Sequence, residues 1–106
     1  MNKSYNEILD RIAARIIKTC NPEKIILFGS AFKESMSDDS DFDLLIVMRN
    51  GIHRRRTAQL IYKNISDIGF ASDIIVVTME DIELYKDDEW TIIKPALSEG
   101  KILYVA

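Results

Sequence analysis

A strand that opens on two carboxylates must open onto water or onto a counter-charge. The run Asp41-Phe42-Asp43-Leu44-Leu45-Ile46-Val47 is such a strand. Successive strand side chains point to opposite faces, so Asp41 and Asp43 stand side by side, Cα atoms roughly 6–7 Å apart, and Leu45 and Val47 follow them on the same face. The first two positions of that face are charged and the next two apolar. This pattern fits a strand that enters its sheet from a cleft and runs inward to a packed core. Two carboxylates that close repel each other, and an apolar strand solvates them poorly. A divalent cation relieves both problems. A solvated strand entrance, with Asp38, Asp39 and Asp41 lining a turn, accounts for the triplet equally well.

A third carboxylate separates these readings. Asp73 lies inside the apolar run Phe70-Ala71-Ser72-Asp73-Ile74-Ile75-Val76-Val77. Aspartate is disfavoured in strands and costly to bury alone, so Asp73 needs a cation, a buried donor, water, or a bend near Ser72. If the two strands are neighbours, Asp41, Asp43 and Asp73 converge. Three carboxylates in one place suit Mg²⁺ or Mn²⁺. With one Cys and one His far apart in sequence, zinc fits less well.

Upstream, Lys24–Phe28 is a short apolar strand that ends on Gly29-Ser30. Glycine lets a backbone approach a ligand closely, and a helix start after it presents unpaired N–H groups with partial positive charge. With the Ser30 hydroxyl these suit a phosphate. A simple turn is the alternative. The spacing of a Walker loop is missing.

Helices separate the strands. Tyr5, Ile8, Leu9, Ile12, Ala13, Ile16, Ile17 and Cys20 follow helical spacing behind Ser4-x-x-Glu7, a capping-box pattern, and Asn21-Pro22 ends the helix. A short helix is expected over Ser30–Met36 and a turn at Ser37–Ser40. After the turn Arg49-Asn50-Gly51, a second long helix is predicted over Ile52–Ile68, with Leu60, Ile61, Ile65 and Ile68 facing the core and Gly69 as its stop. The third strand spans Phe70–Thr78, a short helix runs from Thr78 to Tyr85, and Asp87–Glu89 is a loop. A last helix covers Trp90–Ser98, and Lys101–Val105 forms a final strand. With 106 residues the chain makes one domain, residues 1–106, of the α/β class: a mixed sheet flanked by helices.

Gly29-Ser30, ten residues, Asp41-x-Asp43 and a later strand Asp73 together resemble the signature of the DNA polymerase β-like nucleotidyltransferase superfamily. The small size resembles its minimal nucleotidyltransferase branch, the smaller partner of HEPN-domain proteins in prokaryotic toxin–antitoxin pairs. The resemblance covers nearly the whole chain. It implies that Gly29 and Ser30 hold the triphosphate of ATP and that Asp41, Asp43 and Asp73 bind Mg²⁺ or Mn²⁺. Asp73 would also help to deprotonate the acceptor hydroxyl. The implied reaction is transfer of AMP to a tyrosine of the HEPN toxin, within a hetero-oligomer, with the chain as antitoxin. The segment after Gly-Ser departs from the family's usual Arg-Ala-Arg-Gly: it reads Ala31-Phe32-Lys33-Glu34, with one basic residue in place of two. That departure motivates a second reading, an antitoxin that neutralises its partner by contact alone. A small-molecule nucleotidyltransferase is a third, although such enzymes usually carry an extra helical domain. A phosphoacceptor receiver domain would place its acidic pair earlier, after the first strand.

The remaining features weigh less. Net charge is −3, against a broad nucleic-acid footprint, which wants a basic face. The first residues lack the continuous apolar stretch of a secretory signal, and no apolar run approaches ~18 residues, so a cytoplasmic protein with no membrane partner is expected. The single Cys20 permits no intrachain disulfide and falls on the first helix's apolar stripe, as structural filler. His53-Arg54-Arg55-Arg56 opens the second long helix, where its charge opposes the helix dipole and calls for a compensating neighbour, with Asp38–Asp43 a candidate. The run could meet a triphosphate, RNA or an acidic partner, or be a solvated face; His53 itself reads as surface. Trp90, with Tyr85, suits either a partner surface or the core.

Overall fold

A computed structural model describes residues 3–29 and 42–106. The helix and turn expected over residues 30–40 lie outside the described residues, as do Ser30 and Asp41. The elements run α1 (Lys3–Cys20), β1 (Lys24–Phe28), β2 (Phe42–Met48), α2 (Arg54–Ile65), β3 (Ser72–Thr78), α3 (Met79–Tyr85), α4 (Ile93–Glu99) and β4 (Lys101–Val105), with a 3-10 turn at Ser66–Ile68. The four strands form one sheet in the order β3-β2-β1-β4. β1 pairs antiparallel with both β2 and β4, while β2 and β3 are parallel. The expected mixed sheet flanked by helices is what forms.

The strands alternate as their sequence demands. Phe42, Leu44, Ile46 and Met48 point to one face, where they meet Leu9, Ile12 and Ile16 of α1 and Ile61 and Ile65 of α2. Leu45 and Val47 point to the other and pack with Ile26, Phe28, Val77, and Ile93 and Ala96 of α4. Gly100 follows α4 because its backbone lies against β1: a Cβ there would collide with Ala96 and with Ile26. β3 lies at the sheet's edge, and one of its amides is covered. The Ile74 N–H donates to the Tyr62 hydroxyl of α2 at 2.8 Å. No described helix is long and apolar enough to cross a membrane.

Several boundaries differ from expectation, each for a local reason. Ser4 falls inside α1 rather than at its cap. At the other end Asn21 adopts a left-handed conformation, φ 50°, and its N–H donates to the Ile17 carbonyl, ending the helix as expected. α2 begins at Arg54, not Ile52, because the His53 imidazole caps it: Nδ1 accepts from the Arg56 N–H. Leu60 is 45% exposed and not a core residue; one position from the buried Ile61, it turns away to solvent. β3 starts at Ser72, since Phe70 leaves strand geometry to stack on Phe42, with ring centroids 4.2 Å apart. α4 starts at Ile93, and Trp90 is 96% exposed on the preceding loop, far from any core. Cys20 is half-buried against the helical core, where desolvation pushes its thiol up despite the opposing charge of Arg49. An inert thiol follows.

Candidate active site

Three chain segments meet at one end of the sheet. β1 stops at Phe28, whose register partner on β2 is Asp43. Asp43 is in turn the register partner of Asp73 on β3. Register partners on adjacent strands share a face, and neighbouring strands lie about 4.8 Å apart. Asp43 and Asp73 therefore project side by side from the face that carries Leu45 and Val47. Asp43 is half-buried; Asp73, on the edge strand, is exposed. Two carboxylates about 5 Å apart repel by roughly 1–3 kcal/mol across the range from partly to fully solvated surroundings.

Gly29 closes the third side. Its φ is 75°, in the left-handed region that side chains disfavour. A Cβ at Gly29 would overlap the Asp43 carboxylate and stand 3.1 Å from its Cγ. The glycine is thus required twice, by its backbone angle and by the carboxylate seated against it. From its sequence context Gly29 is expected to admit the close approach of a ligand. In the fold the first group to come close is Asp43 itself.

Beneath this corner lies an aromatic cluster that strand and helix periodicity did not reveal. Tyr5 of α1 meets Phe42 and Phe70 edge-on at 6.3 and 5.6 Å, and Phe42 stacks on Phe70. The Phe42 N–H donates to the Ala71 carbonyl at 3.1 Å. These contacts tie the start of β2 to the entrance of β3, and so hold Asp43 beside Asp73 from the opposite face. The sequence signals were that Phe42 adjoins Asp43, that Phe70 lies three residues before Asp73, and that Tyr5 belongs to the α1 stripe.

The basic run lies elsewhere. α2 begins beyond Met48, at the opposite end of β2 from Asp43. His53–Arg56 thus stands away from the carboxylates. The compensating charge is Asp81, at the start of α3, whose Oδ2 accepts from Arg54 at 2.9 Å. Asp81 also accepts the Thr78 N–H at 3.0 Å, and Thr78 Oγ1 accepts the Asp81 N–H, a complete capping box. Burial pushes the Asp81 carboxyl up. The Thr78 N–H, the Arg54 guanidinium and the Thr78 hydroxyl outweigh it and hold the group below the usual carboxylate range. A second groove, about 420 Å³ and lined by Arg15, Lys18, Thr19, Leu60 and Asn64, lies between α1 and α2, on the helical side of the molecule.

Of the five residues singled out in the sequence, the fold brings Gly29, Asp43 and Asp73 together; Ser30 and Asp41 lie outside the described residues. Among the described residues no group of three or more His, Cys, Asp or Glu side chains could hold a metal ion. The pair that is described is an all-oxygen donor set on one face, of the type Mg²⁺ and Mn²⁺ accept. A family model for the domain described as polymerase beta, nucleotidyltransferase matches residues 10–106. Comparison with curated proteins and with solved structures gives no match.

Proposed function

The chain belongs to the polymerase β nucleotidyltransferase family, and from that premise we propose that it transfers AMP from ATP to a hydroxyl, a tyrosine on a HEPN-domain toxin, and so acts as an antitoxin. The observation that carries this reading is the register that sets Asp43 of β2 against Asp73 of β3 with Gly29 at their side. A structural role gives no reason to put two carboxylates in register. A metal-assisted transfer does.

Asp43 and Asp73, with Asp41, would hold Mg²⁺. When bound, the ion supplies positive charge for the triphosphate and for the attacking oxygen. Gly29 and Ser30 would hold the triphosphate, as the family resemblance implies. The acceptor oxygen attacks the α-phosphorus, the bond from that phosphorus to the bridging oxygen breaks, and pyrophosphate leaves with the electron pair. Asp73, the exposed member of the pair, takes the hydroxyl proton.

The test is incubation of the chain and its neighbouring gene product with Mg²⁺ and ATP labelled in the α-phosphate. Label on the partner protein that disappears in Asp43→Asn and Asp73→Asn supports the reading. Neutralisation of the partner that survives both substitutions without label would replace transfer by contact. Label on small molecules alone would replace the protein acceptor.

A further inference from the structure

Trp90 is the chain's single tryptophan, and it is 96% exposed. Its backbone is nonetheless pinned. The Trp90 N–H donates to Asp88 Oδ1 at 2.8 Å, and the Asp88 N–H donates to the Tyr85 carbonyl at 3.0 Å. A backbone already ordered at the turn spares part of the entropy cost when a partner covers the ring. The same stretch exposes further apolar side chains: Leu84 (66% exposed) and Tyr85 at the end of α3, and Ile92 and Leu97 at and within α4. The two helices touch each other.

The same surface is strongly acidic. Residues 79–99 carry seven carboxylates against Lys86 and Lys94; with Asp81 offset by Arg54 the stretch is net −4 in a chain whose total is −3. Lys86 pairs with Glu83 and Lys94 with Glu89, both at exposed positions. Asp87 and Glu99 have no ion-pair partner among the described residues. Apolar anchors with an acidic surround call for their complement, an apolar stripe flanked by cations. α4 packs on the face of the sheet from which Asp43 projects, and β4, which follows it, starts opposite Leu27, next to Phe28 and the carboxylate corner. The surface therefore leads toward the site.

We propose that α3, α4 and the Trp90 turn form the docking surface for a cationic amphipathic helix of a partner protein. Only the naming of that helix as part of the acceptor rests on the transfer reading; docking itself requires no nucleotide. A stripe of leucines covers Trp90, Leu84 and Leu97, and flanking lysines or arginines meet Asp87, Glu89 and Glu99.

Trp90 emission reads this directly. The intact chain is titrated with a tryptophan-free synthetic helix bearing leucines at heptad spacing and lysines beside them. A second peptide has glutamate in place of each lysine. The expected result is a shift of emission to shorter wavelength with the lysine peptide and about tenfold weaker binding of the glutamate peptide. Added salt weakens the lysine peptide's binding. Leu84→Ser, at a solvent-facing position, weakens it about tenfold with the reporter intact. No shift with the lysine peptide, or an equal shift with both peptides, overturns the proposal. A shift that depends on protein concentration alone also overturns it and assigns the surface to a second copy of the chain. Asp43→Asn must bind the lysine peptide as the parent does. In the parent protein, peptide binding without label transfer to the partner counts against the transfer reading alone, and label transfer without peptide binding counts against the docking surface alone.

Discussion

At one end of the sheet Asp43 stands in register with Asp73; at the other, Asp81 accepts from Arg54 and from the Thr78 amide. The two places are five residues apart along β3, about 16 Å at a strand's rise per residue. Both are carboxylate sites at strand ends. The Asp81 end carries its counter-charge and donors within the chain, so it can contribute to folding. The Asp43 end sets two carboxylates in register, above the Phe42–Phe70 stack and beside the Gly29 backbone. The difference lies in the neighbours: a carboxylate that caps a helix and pairs with an arginine at one end, and two carboxylates in register beside a left-handed glycine at the other.

The largest effect should come from removing the support under the carboxylate pair. Phe42 is fully buried and stacked, and Phe42→Ala should destabilise the fold by about 3–5 kcal/mol, read by chemical denaturation. A loss below 1 kcal/mol would mean that the aromatic cluster does not hold the corner. Asp43→Asn tests the other half of the contrast. It keeps the side chain's shape and should leave far-ultraviolet circular dichroism unchanged, while label transfer falls at least about 10²-fold, since losing even a group behind a metal ligand commonly costs 10- to 100-fold. Transfer at the parent rate would make the register of Asp43 and Asp73 incidental. Gly29→Ala joins both quantities at one residue. The new methyl meets the Asp43 carboxylate and strains a φ of 75°, so stability should fall by about 1–3 kcal/mol and transfer should fall with it. Unchanged transfer in a folded Gly29→Ala protein would place the reacting phosphate away from Gly29.

Much of this contrast was legible in the residues. Alternation along Asp43–Val47 and the apolar run after Asp73 fixed which face each carboxylate occupies, because strand periodicity is local. The α1 stripe held position for position for the same reason: Leu9, Ile12 and Ile16 are buried, with Tyr5, Ile8, Ala13, Ile17 and Cys20 partly so. What failed depended on long-range neighbours. Leu60 is expected in the core by hydrophobicity and is 45% exposed; for Trp90, which suited either surface or core, the fold gives the surface. The partner of the basic helix start was sought in the nearby acidic segment. Residues 38–41 of that segment lie outside the described residues; the partner described for Arg54 is Asp81, 27 residues away, brought close by the parallel β2–β3 crossover. The stack of Phe42 on Phe70 was likewise invisible, since no periodicity links a ring on β2 with one in the segment before β3.

The smallest effects belong to the Asp81 end, and they decide whether that carboxylate is structural. Thr78→Ala removes the hydroxyl that caps α3 and should cost about 1 kcal/mol. Asp81→Asn should cost a similar amount near neutral pH, where an exposed-partner ion pair adds only about 0–1 kcal/mol to the cap. The pH dependence carries the argument. The folded Asp81 carboxyl sits below its ordinary value, so the folded state favours the ionised form. Its contribution is fully present above the unfolded pKa of about 3.9 and is lost as pH falls through the lower, folded value. The stability gap between the parent and Asp81→Asn should therefore be widest near pH 6, narrow below about pH 4 and close in stronger acid. A gap that stays constant from pH 6 to pH 2 would show that the side chain's shape, and not its charge, caps α3. The two ends of the sheet would then differ in packing rather than in how each carboxylate is neutralised.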